Sequence, residues 1–147
     1  MALLHIPPEM FLAKGSQMLG TSHLTESEQR EAYGATFGAS PEYHSILWSL
    51  LREHCPQLFA KHKKMDHERL LWACAKLKVF EKEKVMCGIV AIDGKAPCSR
   101  TYRDWTWDII AAIACLESYV VSFVTACISP TIVIANIDAV DVHISYF

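Results

Sequence analysis

Asp66-His67-Glu68-Arg69-Leu70-Leu71-Trp72-Ala73-Cys74-Ala75-Lys76-Leu77, followed after a turn at Asp93-Gly94 by Ser99-Arg100-Thr101-Tyr102-Arg103-Asp104-Trp105-Thr106-Trp107, is the stretch that decides the fold class. Asp66 is placed to cap a helix whose Leu70, Leu71, Cys74 and Leu77 recur at helical spacing, with Lys76 and Lys78 outside. Glu81–Val90 fits a second helix. A third is expected from Ser99 to about Val120, because Tyr102, Trp105, Ile109, Ala112, Ile113 and Leu116 fall on one face at 3.6-residue spacing. Arg100, Arg103 and Trp107 fall on the opposite side. The pattern is that of a helix-turn-helix with basic residues at the start of its last helix. Such a helix meets nucleic acid through its N-terminal residues. The candidate DNA contacts are therefore Arg100, Thr101 and Arg103, with Lys82, Lys84 and Lys95 from the preceding helix and turn.

Working outward toward the N-terminus, Ser40-Pro41-Glu42 is a strong helix start: a hydroxyl cap, a proline suited to the first turn and an acid at the positive end of the dipole. Tyr43, Ile46, Leu47, Leu50 and Leu51 then repeat until Cys55-Pro56. Thr25 with Glu28 three residues on forms a capping-box pattern for a short helix to Tyr33, ended by Gly34 and Gly38. Residues 1–24, with Pro7-Pro8, Gly15 and Gly20, read as a poorly ordered lead-in. The expected organisation is a mainly α helical bundle over 25–120, with an apolar tail at 121–147. Tyr102, Trp105, Ile109, Ile113, Leu47, Leu50, Leu71 and Leu77 are expected to share its core.

Half the residues are hydrophobic (52%) and a fifth charged (20%), which describes one ordinary globular domain. The net charge of −2 points to no partner, but its distribution does. Residues 1–60 carry three Lys/Arg against six Asp/Glu, residues 61–103 eleven against five, and residues 104–147 none against five. The middle third is thus a basic block of net +6, the footprint of a polyanion-binding element. The six cysteines lack Cys-x-x-Cys spacing and no secretory signal precedes them, so free thiols in an intracellular, nuclear or cytoplasmic protein are expected. His54, Cys55, His62 and His67 lack the short fixed spacings of a structural zinc site, and no metal site is expected.

The segment from Phe37 to Val121 resembles the N-terminal region of transposase-derived DDE endonucleases of the harbinger and insertion-sequence-like group. The resemblance rests on Phe37-Gly38-x-Ser40-Pro41, Leu47-Trp48, Leu70-Leu71-Trp72-Ala73, Leu77-Lys78-Val79-Phe80, Glu83, Thr101-Tyr102-Arg103-x-Trp105-x-Trp107 and Ile113-Ala114-x-Leu116-Glu117. It departs at Gly94–Ser99, which is longer than a tight turn and carries Pro97. The resemblance implies a helical domain that holds the enzyme on transposon-end DNA, ahead of a ribonuclease-H-like domain in which three acids hold two metal ions. In Ile134-Ala135-Asn136-Ile137-Asp138-Ala139, Asp138 would be a vestigial first acid, with Ala139 where a glycine is expected. The resemblance thus makes the chain a piece ending just after the first catalytic-domain strand. The expectation is a module that binds DNA weakly and salt-dependently and does not cut it. No cofactor is expected, Mg²⁺ belonging only to a full-length relative.

Residues 118–137 offer an alternative, because all twenty are uncharged, long enough to cross a bilayer. Ten of them are β-branched, Pro130 interrupts them, and no Lys or Arg follows as an anchor. A helix end to about Val124 and a strand at Thr131–Ile137 fit better than a membrane span. The apolar tail then predicts self-association, and the alternative function is a small membrane-anchored or protein-interaction protein.

Overall fold

The computed structural model describes residues 5–117. The chain divides into two compact units, Met1–Ala114 and Cys115–Phe147, and the helix packing described below lies within the first. Seven helices and one isolated bridge make up the described residues: α1 (Pro8–Leu19), α2 (Glu26–Phe37), α3 (Pro41–His54), α4 (Pro56–Lys61), α5 (His67–Val79), α6 (Glu83–Ile89) and α7 (Ser99–Cys115). The protein is mainly helical, as the periodicity predicts.

The α5 helix is the axis of the fold. Seven consecutive residues, Leu70 to Lys76, are buried, so this helix is covered on all sides rather than along one stripe. α1 and α2 pack on it, and α1 also packs on α2 and α3. Asp66 caps α5 by accepting from the Arg69 N–H at 3.1 Å. Lys76, expected outside, is only 9% exposed: its aliphatic stem lies in the core while Nζ donates to the Glu81 carbonyl at 2.7 Å.

The lead-in expected to be poorly ordered is instead α1. Pro8 occupies its first turn, where the missing N–H has no intrahelical partner to lose, and Gly20 closes it at φ 68°. Gly15 does not break this helix; it lets α2 approach. A Cβ there would stand 2.5 Å from the Tyr33 ring and 2.9 Å from that of Phe37. Ile6 is 2% exposed, and the Ser45 hydroxyl donates to its carbonyl at 2.6 Å, which holds the segment before α1 on α3.

The capping box at Thr25 and Glu28 is formed, but α2 runs through Gly34 to Phe37 and stops only at Gly38. Pro56, expected to end a helix, starts α4. The buried face of α3 is His44, Ser45, Leu47, Trp48 and Leu51, whereas Tyr43 and Ile46 are exposed. Of the expected core, Tyr102, Ile109, Leu47 and Leu71 are buried, Trp105, Ile113 and Leu50 are half-buried, and Leu77 is exposed. Trp48, with none of its surface exposed, fixes the rotation of α3 and turns Tyr43 and Ile46 outward. The expected helix end, strand and apolar tail at 118–147, with Asp138, lie outside the described residues.

Candidate nucleic-acid interface

The α7 helix is attached by its long side chains. Tyr102 is buried with its ring centroid 5.9 Å from that of Trp72, and its hydroxyl donates to the Trp72 carbonyl at 3.2 Å. Thr106 back-bonds to the Tyr102 carbonyl, which satisfies a buried hydroxyl inside the helix. Two residues on, Asp108 receives the His62 ring nitrogen at 2.6 Å and Lys61 Nζ at 2.8 Å. Those partners, Lys61 first and His62 second, hold its carboxyl below the usual range. Trp105 stacks on the His62 ring at 4.1 Å. It therefore rests on a polar cluster at the edge of the core.

With its buried side so fixed, α7 turns Arg100, Thr101, Arg103, Asp104 and Trp107 to solvent. Cys98 precedes the helix, and its sulfur meets the Thr101 hydroxyl at 3.0 Å and accepts from the Thr101 N–H at 3.5 Å. Those contacts, the side chain's before the backbone's, lower the thiol's pKa. Thr101 is thus committed to the helix start. Arg103 reaches Glu83 on α6 at 3.6 Å and Asp104 at 3.9 Å, and Arg100 reaches Asp104 at 3.9 Å.

The Arg103–Glu83 contact sets the starts of α6 and α7 side by side. Lys82, the residue before α6, and Lys84 in its first turn flank Glu83, and both are exposed. Of the six expected contacts, Arg103 meets Glu83, whose chain neighbours are Lys82 and Lys84, and Arg100 and Arg103 share Asp104. Lys95 does not join them by any contact. It closes a tight turn through Asp93 (φ 51°) and Gly94 (φ 74°), exchanging backbone hydrogen bonds with Ile92 at 2.9 and 3.3 Å. The connection from α6 to α7 runs over nine residues, 90–98, not the three or four of a compact helix-turn-helix. Spacing alone does not disclose that Glu83 meets Arg103, because the contact spans that connection.

Elsewhere the basic block is partly neutralised. Lys61 is held by Asp108; Arg69 lies over the Trp72 and Trp105 rings and pairs with Asp66 and Glu68; Lys76 sits 4.9 Å from the Phe80 ring centroid. Lys63, Lys64 and Lys78 form no ion pair among the described residues.

An apolar groove of about 290 Å³ lies between α2, α3, α5 and α7, lined by Phe37, Tyr43, Leu47, Leu77 and Ile113, with His44 and Cys74 at its floor. The floor holds no poised nucleophile. Burial pushes the Cys74 thiol up to about 12 and His44 down to about 4, so both stay neutral near pH 7. The His44 Nδ1 faces the Tyr33 hydroxyl at 2.6 Å, a satisfied core contact.

Among the described residues no three or more His, Cys, Asp or Glu side chains are grouped to hold a metal ion. Cys74, Cys87 and Cys98 are free thiols. No described helix is long and apolar enough to cross a membrane. No protein-family model, curated protein or solved structure matches the chain.

Proposed function

We propose that this chain is a DNA-binding module, derived from a DDE-type transposase, whose contact surface is formed by the adjoining starts of α6 and α7, and that it has no cleavage activity of its own. The observation that carries this is the Arg103–Glu83 contact, because it joins the exposed start of α7, with Arg100 and Arg103, to the start of α6, where the exposed Lys82 and Lys84 flank Glu83 in the chain. Four cations in one patch suit the phosphate backbone, which supplies most of non-specific affinity. The acids nearest the patch, Glu83 and Asp104, face arginines and are not grouped as metal ligands. Weak binding follows from so few phosphate contacts, with a Kd on the order of 10⁻⁴–10⁻⁶ M at physiological salt.

Fluorescence anisotropy with a labelled oligonucleotide, repeated across a salt series, tests this. Arg103→Glu is expected to weaken binding at every salt concentration and to flatten the salt dependence by about one phosphate. Binding unchanged in that variant, or a salt slope near zero in the unaltered protein, removes the surface from consideration. With Mg²⁺ present the same protein is expected to leave supercoiled plasmid uncut.

A further inference from the structure

Of the four tryptophans, Trp48 is 0% and Trp72 4% exposed, and Trp105 is half-buried against His62. Trp107 is different: it is 49% exposed and has no ring contact, hydrogen bond or cation–π partner among the described residues. Other large apolar side chains are also exposed, Phe80 and Ile46 among them, so what singles out Trp107 is its place on the helix that carries Arg100 and Arg103.

Its position gives that exposure a direction. At 3.6 residues per turn, Arg100, Arg103, Trp107, Ala111 and Ala114 lie along one line of α7, and all five are exposed. Helical side chains lean toward the helix N-terminus, so the indole of Trp107 tilts toward Arg103 and Arg100. Beyond it the strip is flat, because alanines follow. The strip thus offers two cations with Asp104 beside them, one aromatic face and then two exposed alanines.

Resting on the DNA-binding function proposed above, we propose that the preferred ligand of this face is an unpaired DNA strand, with Trp107 stacking on a base while Arg100 and Arg103 hold the flanking phosphates. A phosphate patch alone serves duplex and single strand alike. An exposed indole does not, since duplex bases are already stacked on their neighbours and only an unpaired base has a free face. Stacking needs no particular base, so the preference is for strand state and not for sequence.

The full chain is titrated at low salt into fluorescein-labelled dT15 and into a 15-base-pair duplex, with Trp107→Ala, Trp107→Phe and Arg103→Glu beside the unaltered protein. Tighter binding of dT15 than of duplex is expected. Trp107→Ala should then lose about five- to hundredfold on dT15 and little on duplex, the span measured for removing one stacking aromatic. Trp107→Phe should keep most of the dT15 affinity, and Arg103→Glu should weaken both ligands.

Duplex bound as tightly as dT15, or dT15 binding unmoved by Trp107→Ala while Arg103→Glu lowers it, overturns the stacking role and leaves a phosphate-binding surface. Failure of the unaltered protein to bind either oligonucleotide overturns the proposed function together with this inference. Circular dichroism confirms that Trp107→Ala is folded. Should it not be, the comparison of dT15 with duplex in the unaltered protein and in Trp107→Phe still decides.

Discussion

His44 shows what one residue contributes. Its ring is 1% exposed, bonded to the Tyr33 hydroxyl, and burial lowers its pKa from the ordinary 6.5 to about 4. Between those two values the unfolded chain binds a proton that the folded chain refuses, so stability rises with pH across pH 4 to 6.5 and is lost as pH falls through it. The depression of about 2.5 units corresponds to roughly 3 kcal/mol over the window. His67, packed edge-on against Phe11, is shifted the same way by burial and adds to the slope. The depressed carboxyls of Glu42 and Asp108 act lower, mainly below pH 4. His44→Gln keeps a polar group beside Tyr33 but cannot be charged. Its urea midpoint at pH 7 should lie below that of the unaltered protein, yet fall much less between pH 7 and pH 4.5. A drop parallel to the unaltered protein's would assign the pH dependence to other groups.

Among the elements, α1 and α2 meet so closely that glycine is required at one position and dispensable at another. A methyl group at Gly15 must displace the Tyr33 ring, which the bond to His44 holds in place, so Gly15→Ala should cost about 1–3 kcal/mol by overpacking. Gly34, inside α2 with no atom near its missing Cβ, should gain about 0.5–1 kcal/mol as Ala. Thermal or urea denaturation of the two variants should show shifts of opposite sign, and equal shifts would refute the close approach. The helix starts at Thr25, Ser40 and Asp66 are legible in the sequence because each cap is a local bond between a side chain and a backbone N–H three residues on. The α1 helix is not, since Pro7-Pro8 and Gly15 are breakers by local chemistry and only the partner helix shows why they are tolerated. Leu77 fits the apolar period of α5 yet is exposed, because periodicity gives a face but not its extent. At the candidate site, the exposed arginines of α7 follow from the period of its apolar face, but the bond from Arg103 to Glu83 depends on tertiary placement.

At the scale of the whole molecule, charge is sorted rather than scarce. A net charge of −2 would repel a polyanion weakly, yet 61–103 carries +6, and Lys82, Lys84, Arg100 and Arg103 within it form the proposed contact surface. If all four reach phosphates, log affinity should fall with log salt at a slope no steeper than about −4 on duplex and about −3 on a single strand. Asp104 opposes this binding twice, by repelling phosphate and by lying 3.9 Å from both Arg100 and Arg103. Those pairs are long and solvent-exposed, of the kind worth about 0.2–1 kcal/mol, so removing them costs the fold little. Asp104→Asn should therefore tighten DNA binding by about two- to fivefold at low salt, leave the melting temperature nearly unchanged, and lose its advantage as salt approaches 0.5 M, where exposed charges are screened within about 5 Å. An affinity gain that persists at high salt would mean that Asp104 acts on the shape of the α7 start and not through its charge. Weaker binding in Asp104→Asn would place the DNA away from this end of the helix altogether.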